Sequence, residues 1–378
     1  MPQAEITGTS LNSENGADYR RLLERVGREM AKVIIGQDRL IEAILCTLLA
    51  RGHILLEGVP GLAKSLTVAT FARTIGGDFK RIQFTPDKLP SDITGTTVYN
   101  QATGSFSFQQ GPVFCNILLA DEINRAAPKV QSALLEAMQE KVVSIDRDQY
   151  RLPDLFMVLA TMNPVEQLGT YPLSEAQLDR FIAKLAIGYP PRHKESELLQ
   201  KKSEDFALIQ QSVPRLLAPD QAVAMQDHVA RRIRVAPAVI AYILEICLRT
   251  RPSRPDALPA VRQFITVGAS PRGGEHLIAF CKGLAFLRGR DYVTFDDVDD
   301  SAATVLGHRL ILSDAAILEG IDSAELLGDI LRGISPYAPA GRLGQGHAAE
   351  VPFSDSAQAP PPPCHGRRLG GSGQRYRL

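Results

Sequence analysis

Between residues 53 and 187 the apolar positions fall into short runs, HILLEG, RIQF, NILLADE, LFMVLATMN and AKLAI, separated by helix-length stretches. Continuous apolar runs alternating with helical periodicity predict buried strands of a parallel sheet covered by helices on both faces. The count of runs gives a five-stranded α/β core. Upstream, residues 19–50 carry helical periodicity twice, with an apolar turn at residues 33–37 between two predicted helices. Two stretches break the alternation, residues 98–114 (VYNQATGSFSFQQGPVF) and residues 142–152, the latter with Arg147 and Asp148 near its tip. Both read as β-hairpins projecting from the layered core, with ordinary surface loops as the alternative.

After Tyr189, Pro190 and Pro191 the strand signals vanish, and residues 191–335 read as amphipathic helices of a smaller all-α domain. From residue 336 the chain turns to Gly, Pro, Ala, Ser and Arg, including four consecutive prolines from Pro360, too little apolar material to order itself. The expected partition is a polar leader (1–18), the α/β core (19–190), a helical domain (191–335) and a disordered tail (336–378).

Composition narrows the function classes. Lys plus Arg and Asp plus Glu both number 42, and this zero balance lacks the basic surplus of a protein that lives on nucleic-acid phosphates. The five cysteines (Cys46, Cys115, Cys247, Cys281, Cys364) are scattered without paired spacing, against both a disulfide framework and a zinc site. The polar start lacks a signal peptide's apolar core, and no run approaches the roughly 18 apolar residues of a membrane span. A cytoplasmic protein is the expectation.

Gly58, Val59, Pro60, Gly61, Leu62, Ala63, Lys64 and Ser65 follow the predicted strand HILLE and lead into the predicted helix SLTVATFARTI. That is the setting of a phosphate-binding loop. Its backbone N–H groups curl around an anion, the helix adds its positive end, Lys64 reaches the β- and γ-phosphates, and the Ser65 hydroxyl holds Mg2+. Ala63 stands where the strict motif has glycine, which is tolerable if the position has helical backbone angles. The strand NILLADE ends in Asp121 and Glu122, and a parallel sheet delivers such residues to its ligand-binding edge. Asp121 then completes the magnesium shell through water, and Glu122 polarises the water attacking the γ-phosphate of ATP. A solvated acidic turn is the competing reading. Asn163 closes the next strand at the same edge, where its amide can donate to the γ-phosphate or to that water; alone, Asn163 before Pro164 is equally a turn residue.

These residues together resemble the AAA+ ATPases, and GVPGLAKS, RIQFTPDKLPSDITG (residues 81–95) and DEINRAAPKVQSALLEAMQE (residues 121–140) resemble the MoxR branch closely. The resemblance spans roughly residues 33–331 and implies a P-loop NTPase core with a five-stranded parallel sheet and a helical lid. It implies that Arg180, in LDRF, is inserted into a neighbouring subunit's active site, and that Arg272, in GASPR, is the lid's sensor arginine that touches the γ-phosphate. It implies that the backbone around Ile35 and Gly36 cups adenine and that residues 98–114 lie near the ring pore or a partner-facing surface. A hexameric ring with chaperone activity, maturing or metal-loading a protein client, often with a von Willebrand factor A domain partner, follows from the same likeness. The alternatives are a nucleotide-dependent scaffold with little turnover and the motor of a metal chelatase.

Overall fold

The computed structural model describes residues 16–334 apart from 60, 102–103, 147, 165–168 and 204–205. The first fifteen residues of the expected leader, Pro60 of the loop, Arg147 of the second hairpin, Cys364 and the tail from 336 lie outside the described residues. Two helices, Gly16–Val33 and Asp38–Leu49, open the chain. The core then alternates strands and helices through β1 (Ile54–Glu57), β2 (Phe79–Gln83), β3 (Gly95–Asn100), β4 (Ser105–Gln110), β5 (Ile117–Asp121), β6 (Val142–Ile145), β7 (Asp148–Arg151), β8 (Met157–Met162) and β9 (Ala183–Ala186).

Five of these strands form one sheet in the order β2-β5-β8-β1-β9, and every pairing is parallel. Side chains alternate across a strand, so each central strand feeds two cores. Ile54 and Leu56 of β1, Ile117 and Leu119 of β5, and Met157 and Leu159 of β8 join one cluster with Leu23, Ile44 and Phe71 of the overlying helices. Leu55, Leu118, Ala120, Val158 and Ala160 face the opposite cluster, closed by Leu134, Leu135 and Met138 of the helix Pro128–Glu140. Two buried faces require apolar residues at both parities, which is why these strands read as unbroken runs. Each fully buried Leu, Ile or Phe contributes about 1.5–3 kcal/mol of transfer free energy, so one charge placed on β5 or β8 breaks the layer. Because all five strands run the same way, the residues ending β1, β5 and β8 emerge at one edge.

The two hairpins are β3–β4 and β6–β7, both antiparallel. The first spans residues 95–110, three positions earlier at its start and four at its end than the apolar pattern suggests. Its base is a close crossing: a Cβ on Gly111 would lie 2.2 Å from the Ile93 carbonyl oxygen, and Gly95 sits at φ 96°. Only glycine fits there, and pairing begins at that crossing rather than at Val98. The hairpins touch through Phe108 stacked on Tyr150 and Thr97 donating to Asp146.

Helix Arg192–Ser203 starts directly after Pro191 and opens the helical region. Pro219, Pro237, Pro259 and Pro271 each occupy a first helical position, where the missing N–H costs nothing. The expectation of an all-α domain needs correction, because β10 (Ile265–Val267) and β11 (Ile311–Leu312) form a small antiparallel ribbon. Strands of three and two residues are too short to register as alternation. Among the described residues, no helix is long and apolar enough to cross a membrane. Cys46, Cys115, Cys247 and Cys281 are free and buried.

Candidate functional site

The loop after β1 turns the chain back over the sheet edge into the helix Lys64–Ile75. Gly61 (φ 89°) and Ala63 (φ 56°) both adopt left-handed angles, the kind of turn that points successive N–H groups into one concavity. The condition under which alanine is readily tolerated here, helical backbone angles, is therefore not met. Its carbonyl accepts from the Thr67 N–H at 2.8 Å and the Thr67 hydroxyl at 2.9 Å, which locks the angle from the helix side. As N-cap it offers no side-chain acceptor to the first-turn N–H groups, leaving them for a ligand. A left-handed alanine costs about 1–2 kcal/mol, and the extra backbone entropy of an unfolded glycine returns about 0.4–1 kcal/mol of that. Ala63→Gly is accordingly expected to stabilise the chain by a net of about 0.5–1 kcal/mol, raising the thermal midpoint by a degree or more. A midpoint at or below wild type would contradict the left-handed assignment.

The loop and the ends of β2, β5 and β8 enclose a cleft of about 400 Å3 lined by Gly61, Ala63, Lys64, Ser65, Arg81, Gln83, Asp121, Glu122, Thr161 and Asn163. Lys64 donates to the Gly58 carbonyl and, at 3.1 Å, to the Met162 carbonyl. Burial pushes its pKa down, opposed by the carboxylates of Asp121, Glu122 and Glu57. The Ser65 hydroxyl donates to Asp121 Oδ2 at 3.1 Å. Serine and carboxylate oxygens side by side fit Mg2+, which is usually held by one or two protein oxygens plus substrate phosphates. Asn163 is buried, and its backbone carbonyl accepts from Asn124 at 3.4 Å. Val59 and Leu62 are half-buried in the loop.

Glu122 has a left-handed backbone (φ 58°), an uncommon state that turns its side chain away from the strand's own alternation. The Gln83 amide donates to its Oε2 at 2.8 Å, and the Arg125 guanidinium stands 3.3 Å from the same oxygen.

Arg180 and Arg272 are elsewhere. They share a second cleft of about 210 Å3 with Arg51, His53, Gln139 and His276. Neither lines the phosphate-loop cleft of its own chain. Arg272 is the second residue of the helix Pro271–Leu287, and its guanidinium lies 3.6 Å from Asp179 in the segment before β9. Desolvation lowers the pKa of His53 to about 4 and, with help from the Arg309 charge, that of His276 to about 3. At neutral pH the positive charge of this cleft is therefore arginine charge. Ile35 is buried and Gly36 (φ 73°) abuts Pro190 and Lys194, at the joint between core and helical region rather than in either cleft.

Residues 53–183 match the ATPase family associated with various cellular activities (AAA), and residues 259–330 match the AAA lid domain. The chaperone MoxR1 of Mycobacterium tuberculosis is 41% identical over 89% of this chain and 88% of its own length. The chain belongs to the MoxR family of AAA+ ATPases. Protein MoxR of Methylorubrum extorquens is 30% identical over 85% of this MoxR-family chain and 96% of its own. A solved structure from Cytophaga hutchinsonii is similar with TM-score 0.78 and 43% identity, covering 84% of this chain and 96% of that one.

Three residues of this MoxR-family site escape a reading of motifs. Thr161, fully buried on β8, donates to Asp121 Oδ1 at 2.6 Å and accepts from the Glu122 N–H at 2.9 Å, so one hydroxyl orients both acids. Arg81 donates to Asp121 Oδ2 at 2.7 Å. Gln83 faces Asp121 across the β2–β5 register. All three sit within ordinary strand sequence, where only the pairing of neighbouring strands reveals which side chains meet. The alternation of β2 carried the one available signal, since Arg81 and Gln83 are polar at the same parity.

Proposed function

We propose that this chain hydrolyses ATP with magnesium in sites shared between neighbouring subunits of a homo-oligomeric, hexameric ring in the cytoplasm, and uses the cycle to remodel or mature a protein client. The observation that carries the reading is the separation of Arg180 and Arg272 from the phosphate loop of their own chain, together with their grouping in one arginine-rich cleft. A catalytic arginine that does not face its own nucleotide cleft is useful when a neighbouring copy supplies that cleft.

In this mechanism the N–H groups of the loop residues Gly58, Val59 and Gly61 to Ser65, with the Lys64 ammonium, bind the phosphates, while Ile35 and Gly36 flank the adenine side. Ser65 and Asp121 would hold magnesium, which would neutralise charge on the phosphate oxygens. Glu122 releases the Gln83 amide, orients the attacking water and takes its proton. Asn163 donates to the same water or to the γ-phosphate. Arg180 and Arg272 of the adjacent subunit stabilise the charge that builds on the equatorial oxygens.

A chaperone role draws on the name of the Mycobacterium tuberculosis relative, and metal loading of the client, or a partner with a von Willebrand factor A domain, is a finer form of the same proposal. Hairpin β3–β4 offers a contact surface for such a client: Tyr99 and Phe106 are 52% and 73% exposed with ring centroids 5.0 Å apart. Steady-state ATP hydrolysis measured against protein concentration tests the shared site. Specific activity is expected to rise with concentration until assembly saturates; a specific activity independent of concentration down to the monomeric regime would sink it.

A further inference from the structure

The segment that carries Arg180 is bound on both sides by a turn of the helical region. After the short helix Glu175–Leu178 the chain passes through Asp179, Arg180, Phe181 and Ile182 into β9. The turn Gly307–Arg309 packs against it. Arg309, whose side chain is only 2% exposed, donates through Nη2 to the carbonyls of Asp179 (3.2 Å) and Phe181 (2.7 Å), and through Nε to the Asp179 carboxylate (2.8 Å). Nη1 reaches the Ile182 carbonyl at 3.5 Å. His308 Nε2 lies 3.1 Å from the Phe181 carbonyl and 2.9 Å from Arg309 Nη1. The carbonyls flanking Arg180 are thus held by one rigid guanidinium, while the Arg180 side chain itself lines the open cleft.

Burying an arginine so fully is unfavourable unless its donors are satisfied, and here they reach the carbonyls and carboxylate of the Arg180 segment together with the Val305 carbonyl and the rings of His276 and His308. A guanidinium presents five N–H donors in a fixed plane, so it sets the direction of the backbone it binds; a lysine ammonium is a point charge that does not. Carbonyls on either side of a residue define where its Cα–Cβ bond points.

We infer that Arg309 is a positioning residue for Arg180: through its bonds to the Asp179 and Phe181 carbonyls, the helical region of each subunit aims the arginine that the subunit offers to its neighbour. The inference rests on the shared-site reading above. It makes the turn Gly307–Arg309 a coupling point, because movement of this turn displaces the segment that carries Arg180. An error of about 1 Å in a catalytic group costs on the order of 100-fold in rate.

Arg309→Lys keeps the charge and removes the fork. Alone it is expected to lower ATP turnover about 100-fold with unchanged ring assembly by gel filtration and unchanged binding of a fluorescent ATP analogue. The deciding experiment is subunit mixing. Arg309→Lys co-expressed with Glu122→Gln forms rings in which the Arg309→Lys subunit supplies an intact phosphate cleft and the Glu122→Gln subunit an intact Arg180 segment. In a head-to-tail ring mixed at random, about a quarter of interfaces then hold two intact halves, so turnover is expected to recover well above either parent. The control mixture of Arg180→Ala with Glu122→Gln is read beside it. Recovery in the control without recovery for Arg309→Lys overturns the role of Arg309 alone. Failure of both overturns the shared site as well. Loss of the folded chain in Arg309→Lys, read by circular dichroism, makes Arg309 a stability residue and also overturns the inference.

Discussion

Glu122→Gln is expected to lower steady-state ATP hydrolysis by about 10²–10⁴-fold, the range contributed by a positioned general base, while nucleotide still binds. The substitution is nearly isosteric, so the bond from Gln83 and the left-handed backbone at residue 122 can persist. What is lost is a carboxylate able to take a proton from water. In the proposed mechanism phosphate binding rests on other residues, Lys64 and the loop N–H groups, and magnesium on Ser65 and Asp121, joined at 3.1 Å. Turnover measured by phosphate release, with affinity followed by a fluorescent ATP analogue, separates the two effects. Wild-type turnover in Glu122→Gln would remove the assigned chemistry, and loss of binding together with turnover would give Glu122 a structural role instead.

Arg180→Ala is expected to lower turnover by about 10³–10⁵-fold, the effect of losing an arginine that stabilises phosphoryl charge. The stability cost is expected to be small, because Arg180 is only partly buried and the segment is held by Arg309 bonds to its carbonyls rather than by the Arg180 side chain. The thermal midpoint should stay within a degree or two of wild type. Two-thirds of wild-type turnover, or a collapse of stability to match the lost activity, would each contradict a role in trans.

The strands were legible because a parallel sheet with two buried faces demands apolar residues at both parities, and all five runs named from the sequence became its strands. The turn from β1 into the helix Lys64–Ile75 was legible because glycines, Lys64 and Ser65 follow an apolar strand in fixed order. The backbone angle of Ala63 was not legible for a physical reason: angles at a loop-to-helix junction depend on how sharply the chain must reverse. The ribbon of Ile265 and Val267 with Ile311 and Leu312 was missed because so few residues carry no period. Thr161, Arg81 and Gln83 were missed because hydrogen bonds between adjacent strands depend on register, and Arg309 because its partners in the Arg180 segment lie 127 to 130 positions away.

By itself the sequence determined the layered α/β core, the helical region that follows, the turn from β1 into the helix Lys64–Ile75 and the acids at the end of β5, since each of these is encoded in residues adjacent along the chain. Only the tertiary structure decided which side chains orient those acids, that Arg180 and Arg272 share a cleft apart from the phosphate loop, and that Arg309 grips the Arg180 segment. Such relations come from the packing of segments far apart in sequence, and local pattern carries no record of it.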